Sequence, residues 1–299
     1  MKLKVSILAG IIIAGLVGVL AYFITLEDTI SNATVPLEIS PVNLAHKGEG
    51  DIIEFPRSSI VFRVFAYDSD ITERPPDYPK FKVKYRHMEL KPENADLYHE
   101  IGITDDPQKT VFVIPIFTIS AYAEPGFYNY YRGECDLSCL SIPIRYDEPP
   151  QFTSSDNGIK VLRLLGYPYI TDIEVDKNPG ILDQYDKVIL LHNEYVTRNE
   201  FDAITNHPNV IYLYPNALYA EVKVNYENDI ISLVRGHNYP HSEIKNGFDW
   251  EFDNTHPYEY NTDCKGREFY KIKNGWMFNC YPEDIIHIDA SLLKTIKKI

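Results

Sequence analysis

Residues 186–214, DKVILLHNEYVTRNEFDAITNHPNVIYLY, decide the fold. The apolar run Asp186 to Leu191 reads as a buried strand, and Asn209 to Tyr214 as another. Between them, residues 198–206 have helix-forming composition, with Phe201 and Ile204 on one side. Thr197 is suited to cap this helix, and Glu200 three residues later completes a capping-box pattern. Strand, helix and strand at this spacing predict a parallel sheet with right-handed crossovers. Each strand runs into polar residues: His192-Asn193-Glu194-Tyr195 after the first, Pro215-Asn216 and then Tyr219 after the second. Ligands of open parallel sheets sit beyond the carboxyl ends of the strands, so both clusters are expected at one rim. A purely structural reading competes. His192, Asn193 and Glu194 would tie down the turn into the helix, and Asn216 would hold a tight turn after Pro215.

Outward from this unit, Ile159 to Leu165 reads as the preceding strand and residues 291–298 as a closing helix, with a β-rich part from Glu221 onward. Residues 158–299 are therefore expected to form an α/β, flavodoxin-like domain. The segment 148–157, rich in Pro, Ser and Asp, reads as a linker. Residues 35–147 read as strands. Ile60, Phe62 and Val64 alternate, as do Phe81, Val83 and Tyr85 against Lys82, Lys84 and Arg86. Thr110 to Ile119 is a nearly continuous apolar run, and Leu140 to Tyr146 is a closing strand. An all-β immunoglobulin-like sandwich is the expected architecture for this part.

The amino terminus places the chain. Lys2 and Lys4 precede an uncharged run from Val5 to Leu26, closed by Glu27 and Asp28. As a helix at ~1.5 Å per residue the run spans about 33 Å, matching a hydrocarbon core of about 30 Å. Residues 1–30 are expected to be a transmembrane anchor with the short amino terminus in the cytoplasm. The run is longer than a signal peptide's apolar region, and Ser31-Asn32-Ala33 is the one plausible cleavage site. Cleaved or not, it exports the same domain. The net charge is −14, and Lys2 and Lys4 belong to the anchor, so the exported part is more acidic still. That surface repels phosphate backbones and speaks against nucleic acid. Four cysteines in an exported chain predict disulfides. Three pairings are open; Cys135–Cys139 with Cys264–Cys280 closes two local loops. The C-x-x-C knuckles of a zinc site are missing.

The segment HNEYVT at 192–197, a helix, a strand, and PNALYAEV at 215–222 resemble the C-terminal domain of the N,N-dimethylformamidase large-subunit family, which is itself similar to the class I glutamine-amidotransferase fold. The resemblance covers Ile159 to Val224. It implies a histidine–glutamate–tyrosine cluster at His192, Glu194 and Tyr195, and an Asn-x-x-Tyr step at Asn216 and Tyr219. It also implies an iron held by tyrosine and carboxylate oxygens, with Glu194, Tyr195 and Tyr219 as ligands. The family's tryptophan after each tyrosine is Val196 and Ala220 here, and its Gly-Gly before the third strand is Pro208-Asn209. The whole chain also resembles membrane-anchored proteins of ammonia-oxidising archaea.

Other chemistry is thinner. No G-x-C-x-G or G-x-S-x-G elbow, phosphate-binding glycine loop or H-E-x-x-H occurs. His237, His241 and Glu243 lie in a loop broken by Pro240 and offer a second metal-ligating set. Asp249-Trp250-Glu251-Phe252-Asp253 alternates as an edge strand, with calcium as the sharper reading. The run Phe127-Tyr128-Asn129-Tyr130-Tyr131 suits core packing, or stacking on carbohydrate or a cell-surface partner. The expected function is a membrane-anchored extracytoplasmic binding or structural protein with an amidohydrolase-like head. The rival expectation is a metal-dependent hydrolase of amide C–N bonds. In it His192, Glu194 and Asn216 are catalytic, Glu194, Tyr195 and Tyr219 hold iron or zinc, and Glu194 or His192 acts as general base.

Overall fold

The computed structural model describes residues 47–73, 82–103 and 109–299. The expected anchor at Val5–Leu26 and the cleavage site Ser31-Asn32-Ala33 lie outside them. Among the described residues no helix is long and apolar enough to cross a membrane. The described residues belong to one compact unit.

Its core is a six-stranded sheet in the spatial order Phe269–Ile272, Gly275–Phe278, Val210–Tyr212, Lys187–Leu190, Thr110–Ile114, Tyr169–Thr171. All pairings are parallel except the hairpin of Phe269–Ile272 with Gly275–Phe278. Numbered along the chain, the five parallel strands lie 2-1-3-4-5, the order of flavodoxin-like doubly wound sheets. Thr110–Ile114, Lys187–Leu190 and Val210–Tyr212 are buried at every residue. That is why these segments read as continuous apolar runs rather than alternating ones. Even Lys187 is buried, its ammonium donating to Lys297 O (2.9 Å) at the carboxyl end of helix Ala290–Lys298. A helix carboxyl terminus is a favourable place for a cation.

The helix expected at residues 198–206 forms at Arg198–Asn206, and Thr197 Oγ1 caps it by accepting from Glu200 N at 3.2 Å. Two expectations change. Residues 159–164 are not a strand but most of helix Asp156–Leu164, in which Ile159, Val161 and Leu162 are buried. The first strand of the parallel sheet is instead Thr110–Ile114, which had been assigned to the sandwich, and its apolar run continues into helix Ile116–Tyr122. A boundary at residues 148–157 is therefore crossed by the main sheet. It is crossed again where Ser141–Pro143 pairs with Ile230–Arg235. The supposed linker is a short 3-10 turn, Phe152–Ser154, leading directly into the Asp156–Leu164 helix. What the described residues hold of the expected sandwich is a three-stranded antiparallel sheet, Ile52–Glu54, Arg63–Tyr67 and His87–Glu89.

A second, four-stranded sheet runs Tyr195–Val196, Ala220–Asn225, Ile230–Arg235, Ser141–Pro143. Residues 249–253 form irregular chain with a turn rather than an edge strand: Asp249 takes a left-handed conformation (φ 51°) that a strand does not contain. Both disulfides form, Cys135–Cys139 and Cys264–Cys280.

Candidate functional site

The strand order reverses between Thr110–Ile114 and Lys187–Leu190, and there the polar cluster assembles. Thr118, buried on helix Ile116–Tyr122, accepts from the backbone of Glu194 (3.0 Å) and Tyr195 (3.2 Å) through Oγ1. The Glu194 carbonyl accepts from Tyr219 N (3.0 Å) and Ala220 N (2.8 Å), stitching the two strand ends together as the sequence implied. The small sheet does the rest. It holds Tyr195 beside Ala220, and Ile230–Arg235 delivers His237 over the Tyr195 ring at 5.5 Å, nearly parallel.

Glu194 is fully buried and is the hub. Its Oε1 is hydrogen-bonded to His237 Nε2, and its Oε2 accepts from Tyr122 OH at 2.8 Å. Tyr128 donates in turn to Tyr122 OH at 2.7 Å. Burial pushes the Glu194 carboxyl up, but the His237 imidazole, then His192 and the Tyr122 hydroxyl, bring it below its ordinary value. The same burial, reinforced by the Glu194 charge, holds the Tyr122 and Tyr195 hydroxyls well above theirs. His192 Nε2 lies 3.4 Å from Glu194 Oε2 and has no hydrogen-bond partner, while its Nδ1 meets Tyr281 OH at 3.1 Å. Burial keeps the His192 imidazole below its usual pKa despite the neighbouring Glu194.

The remaining expected site residues separate. Tyr195 is in the cluster, and its buried hydroxyl has no hydrogen-bond partner. Tyr219 sets its ring edge against His237 (4.7 Å) but bonds His256 Nε2 through its hydroxyl (3.2 Å). Asn216 adopts a left-handed conformation (φ 70°) and turns its amide to Glu259 (3.4 Å), which is the turn-holding role. None of His192, Glu194, Tyr195, Asn216 and Tyr219 is more than 6% exposed. Of the loop His237-His241-Glu243, only His237 reaches the site; His241 and Glu243 are exposed. The sequence reading did not include Tyr122 or Tyr281, and it set His237, Tyr128 and Tyr131 apart from this cluster. The tyrosine run at 128–131 was the visible signal: its short helix lies beside the site, with the Tyr131 ring 5.3 Å from His237.

Among the described residues no group of three or more His, Cys, Asp or Glu side chains has the geometry of a metal site. A metal here would need tyrosine oxygens. The donors suit one: His192 Nε2 and Glu194 Oε2, both buried, face each other at 3.4 Å, and the Tyr122 hydroxyl converges on the same carboxylate oxygen. Carboxylate and phenol oxygens with one imidazole suit iron or zinc. No protein-family model matches the chain, and no curated protein matches it.

Proposed function

We propose that this protein is a membrane-anchored, extracytoplasmic hydrolase that cleaves amide C–N bonds at a metal centre built on Glu194. One observation carries the reading. His192 Nε2, without a partner, and the ionised Glu194 are held 3.4 Å apart in a buried place. With Nε2 as the unprotonated nitrogen, the two lone pairs repel in a low dielectric unless a cation joins them. Glu194, His192 and Tyr122 would hold the ion, with Tyr195 and Tyr219 packed around it. Bound there, iron or zinc would polarise the amide carbonyl and lower the pKa of a water. The chain supplies the rest. His237, about one-fifth exposed and hydrogen-bonded to Glu194, would hand a proton to the leaving amine nitrogen. Tyr128, Tyr131 and Tyr195 wall off solvent, and Asn216 holds the turn that carries Tyr219. The amide specificity rests on the resemblance of residues 192–197 and 215–222 to the N,N-dimethylformamidase family.

A second reading has its own support. The near-complete burial of the five expected residues favours an extracytoplasmic binding or structural protein whose rim is filled by its own side chains. Such a protein would bind a cell-surface protein or carbohydrate. Metal analysis of the full-length protein, purified without chelator or histidine tag, separates the two. The hydrolase predicts near-stoichiometric iron or zinc that is lost in Glu194→Gln and Tyr122→Phe. A folded, disulfide-bonded sample with no transition metal sinks the hydrolase and leaves the binding protein.

A further inference from the structure

We infer that Tyr281 is a positioning residue that locks His192 in the tautomer protonated on Nδ1, so that the Nε2 lone pair is presented to Glu194. The inference deepens the hydrolase reading and rests on it for its functional meaning, though the lock itself is a matter of hydrogen placement.

The argument is a count of protons. A tyrosine hydroxyl carries one hydrogen. The Tyr281 hydroxyl lies 2.6 Å from Phe152 O and 3.1 Å from His192 Nδ1. A carbonyl oxygen can only accept, so the short contact to Phe152 takes the Tyr281 hydrogen. The hydroxyl is then an acceptor toward His192, and Nδ1 must carry the hydrogen of that second bond. The opposite arrangement would set two bare oxygens 2.6 Å apart in a mostly buried place.

The surroundings fix the geometry. The Tyr281 ring stacks on Phe152 (5.4 Å, 28°) and stands edge-on to both His192 (5.4 Å, 90°) and Tyr214 (5.2 Å, 85°). The Tyr214 ring lies parallel to the His192 ring at 6.3 Å. From the other side the His192 backbone N–H donates to Ser155 Oγ at 2.9 Å. Phe152 and Ser155 belong to the segment whose composition suggested a linker; here it orients a site residue. An imidazole that donates through one nitrogen is a stronger ligand or base through the other.

Nitrogen NMR of the full-length protein, labelled with 15N-histidine and kept metal-free, tests this directly. His192 is assigned by the signal that disappears in His192→Gln. The expected wild-type signature is a protonated Nδ1 and a bare Nε2. In Tyr281→Phe, which keeps the ring packing, the His192 proton is expected to shift toward Nε2. Zinc, used as the probe metal, should then bind about 10–100-fold more weakly. A wild-type His192 protonated on Nε2 overturns the inference, as does an unchanged tautomer in a folded Tyr281→Phe. Unchanged zinc affinity alongside a shifted tautomer overturns the role at the metal. If the wild type binds no zinc while the tautomer behaves as expected, the hydrolase reading has failed and the lock has not.

Discussion

At the residue scale two buried glutamates pull stability in opposite directions with pH. Glu194 is held below its ordinary pKa in the fold, so its contribution is present above the unfolded value and is lost on acidification. Glu283 is the reverse. Burial, then the Asp156 charge, raise it to about 8, against the hydrogen bonds it accepts from Tyr214 OH (2.6 Å) and Asn157 N. Between its unfolded value and pH 8 the folded state holds a proton that the unfolded chain has released, so stability falls as pH rises through that window. His287, lowered to about 4 by burial, adds stability as pH rises from 4 toward its ordinary value and is silent above it. From about pH 6.5 to 8 the Glu283 slope therefore stands clear of the histidine. Thermal unfolding should show Tm falling across that interval in the wild type and falling less steeply in Glu283→Gln. Equal slopes would remove Glu283 as the cause.

At the element scale, a strand and the residue after it put His237 in place. Gly236 follows strand Ile230–Arg235 with φ 122°, and a Cβ there would meet Ala220 Cα at 2.9 Å. Only glycine takes that backbone conformation without strain and lets the two strands approach so closely. Gly236→Ala is expected to cost about 2 kcal/mol in denaturant unfolding. It should also displace His237 from Glu194, visible as a changed His237 signal in the histidine spectra. A variant as stable as the wild type, with an unshifted His237, would show that the loop tolerates the side chain. The helix Arg198–Asn206 was legible in advance because its cap and capping box are local. Helix Asp156–Leu164 was not: a short apolar run such as Ile159 to Leu165 fits a buried strand and one face of a helix equally well.

For the whole molecule, the issue is where the chain divides. The main sheet takes its interior strand Thr110–Ile114 from the first half, and the small sheet takes Ser141–Pro143 from it. A fragment of residues 158–299 would lack the strand between Tyr169–Thr171 and Lys187–Leu190 and leave the latter's buried edge unpaired. It is expected to aggregate or remain unfolded by circular dichroism and proteolysis, whereas residues 43–299 should fold cooperatively. A cooperative transition in the shorter fragment would restore a separate carboxyl-terminal domain.

The sequence by itself determined what depends on near neighbours: the Arg198–Asn206 helix with its Thr197 cap, the two flanking parallel strands, and the polar clusters His192–Tyr195 and Asn216–Tyr219 at the strand ends. Tertiary structure alone decided which strand stands first in the sheet, and which side chains from Tyr122, Tyr128, His237 and Tyr281 surround Glu194 and His192. The reason is physical. Caps, apolar runs and short loops are set by contacts a few residues apart. The hydrogen bonds of Glu194 and His192 to Tyr122, His237 and Tyr281 join residues 43 to 89 positions apart, and nothing in local periodicity records them.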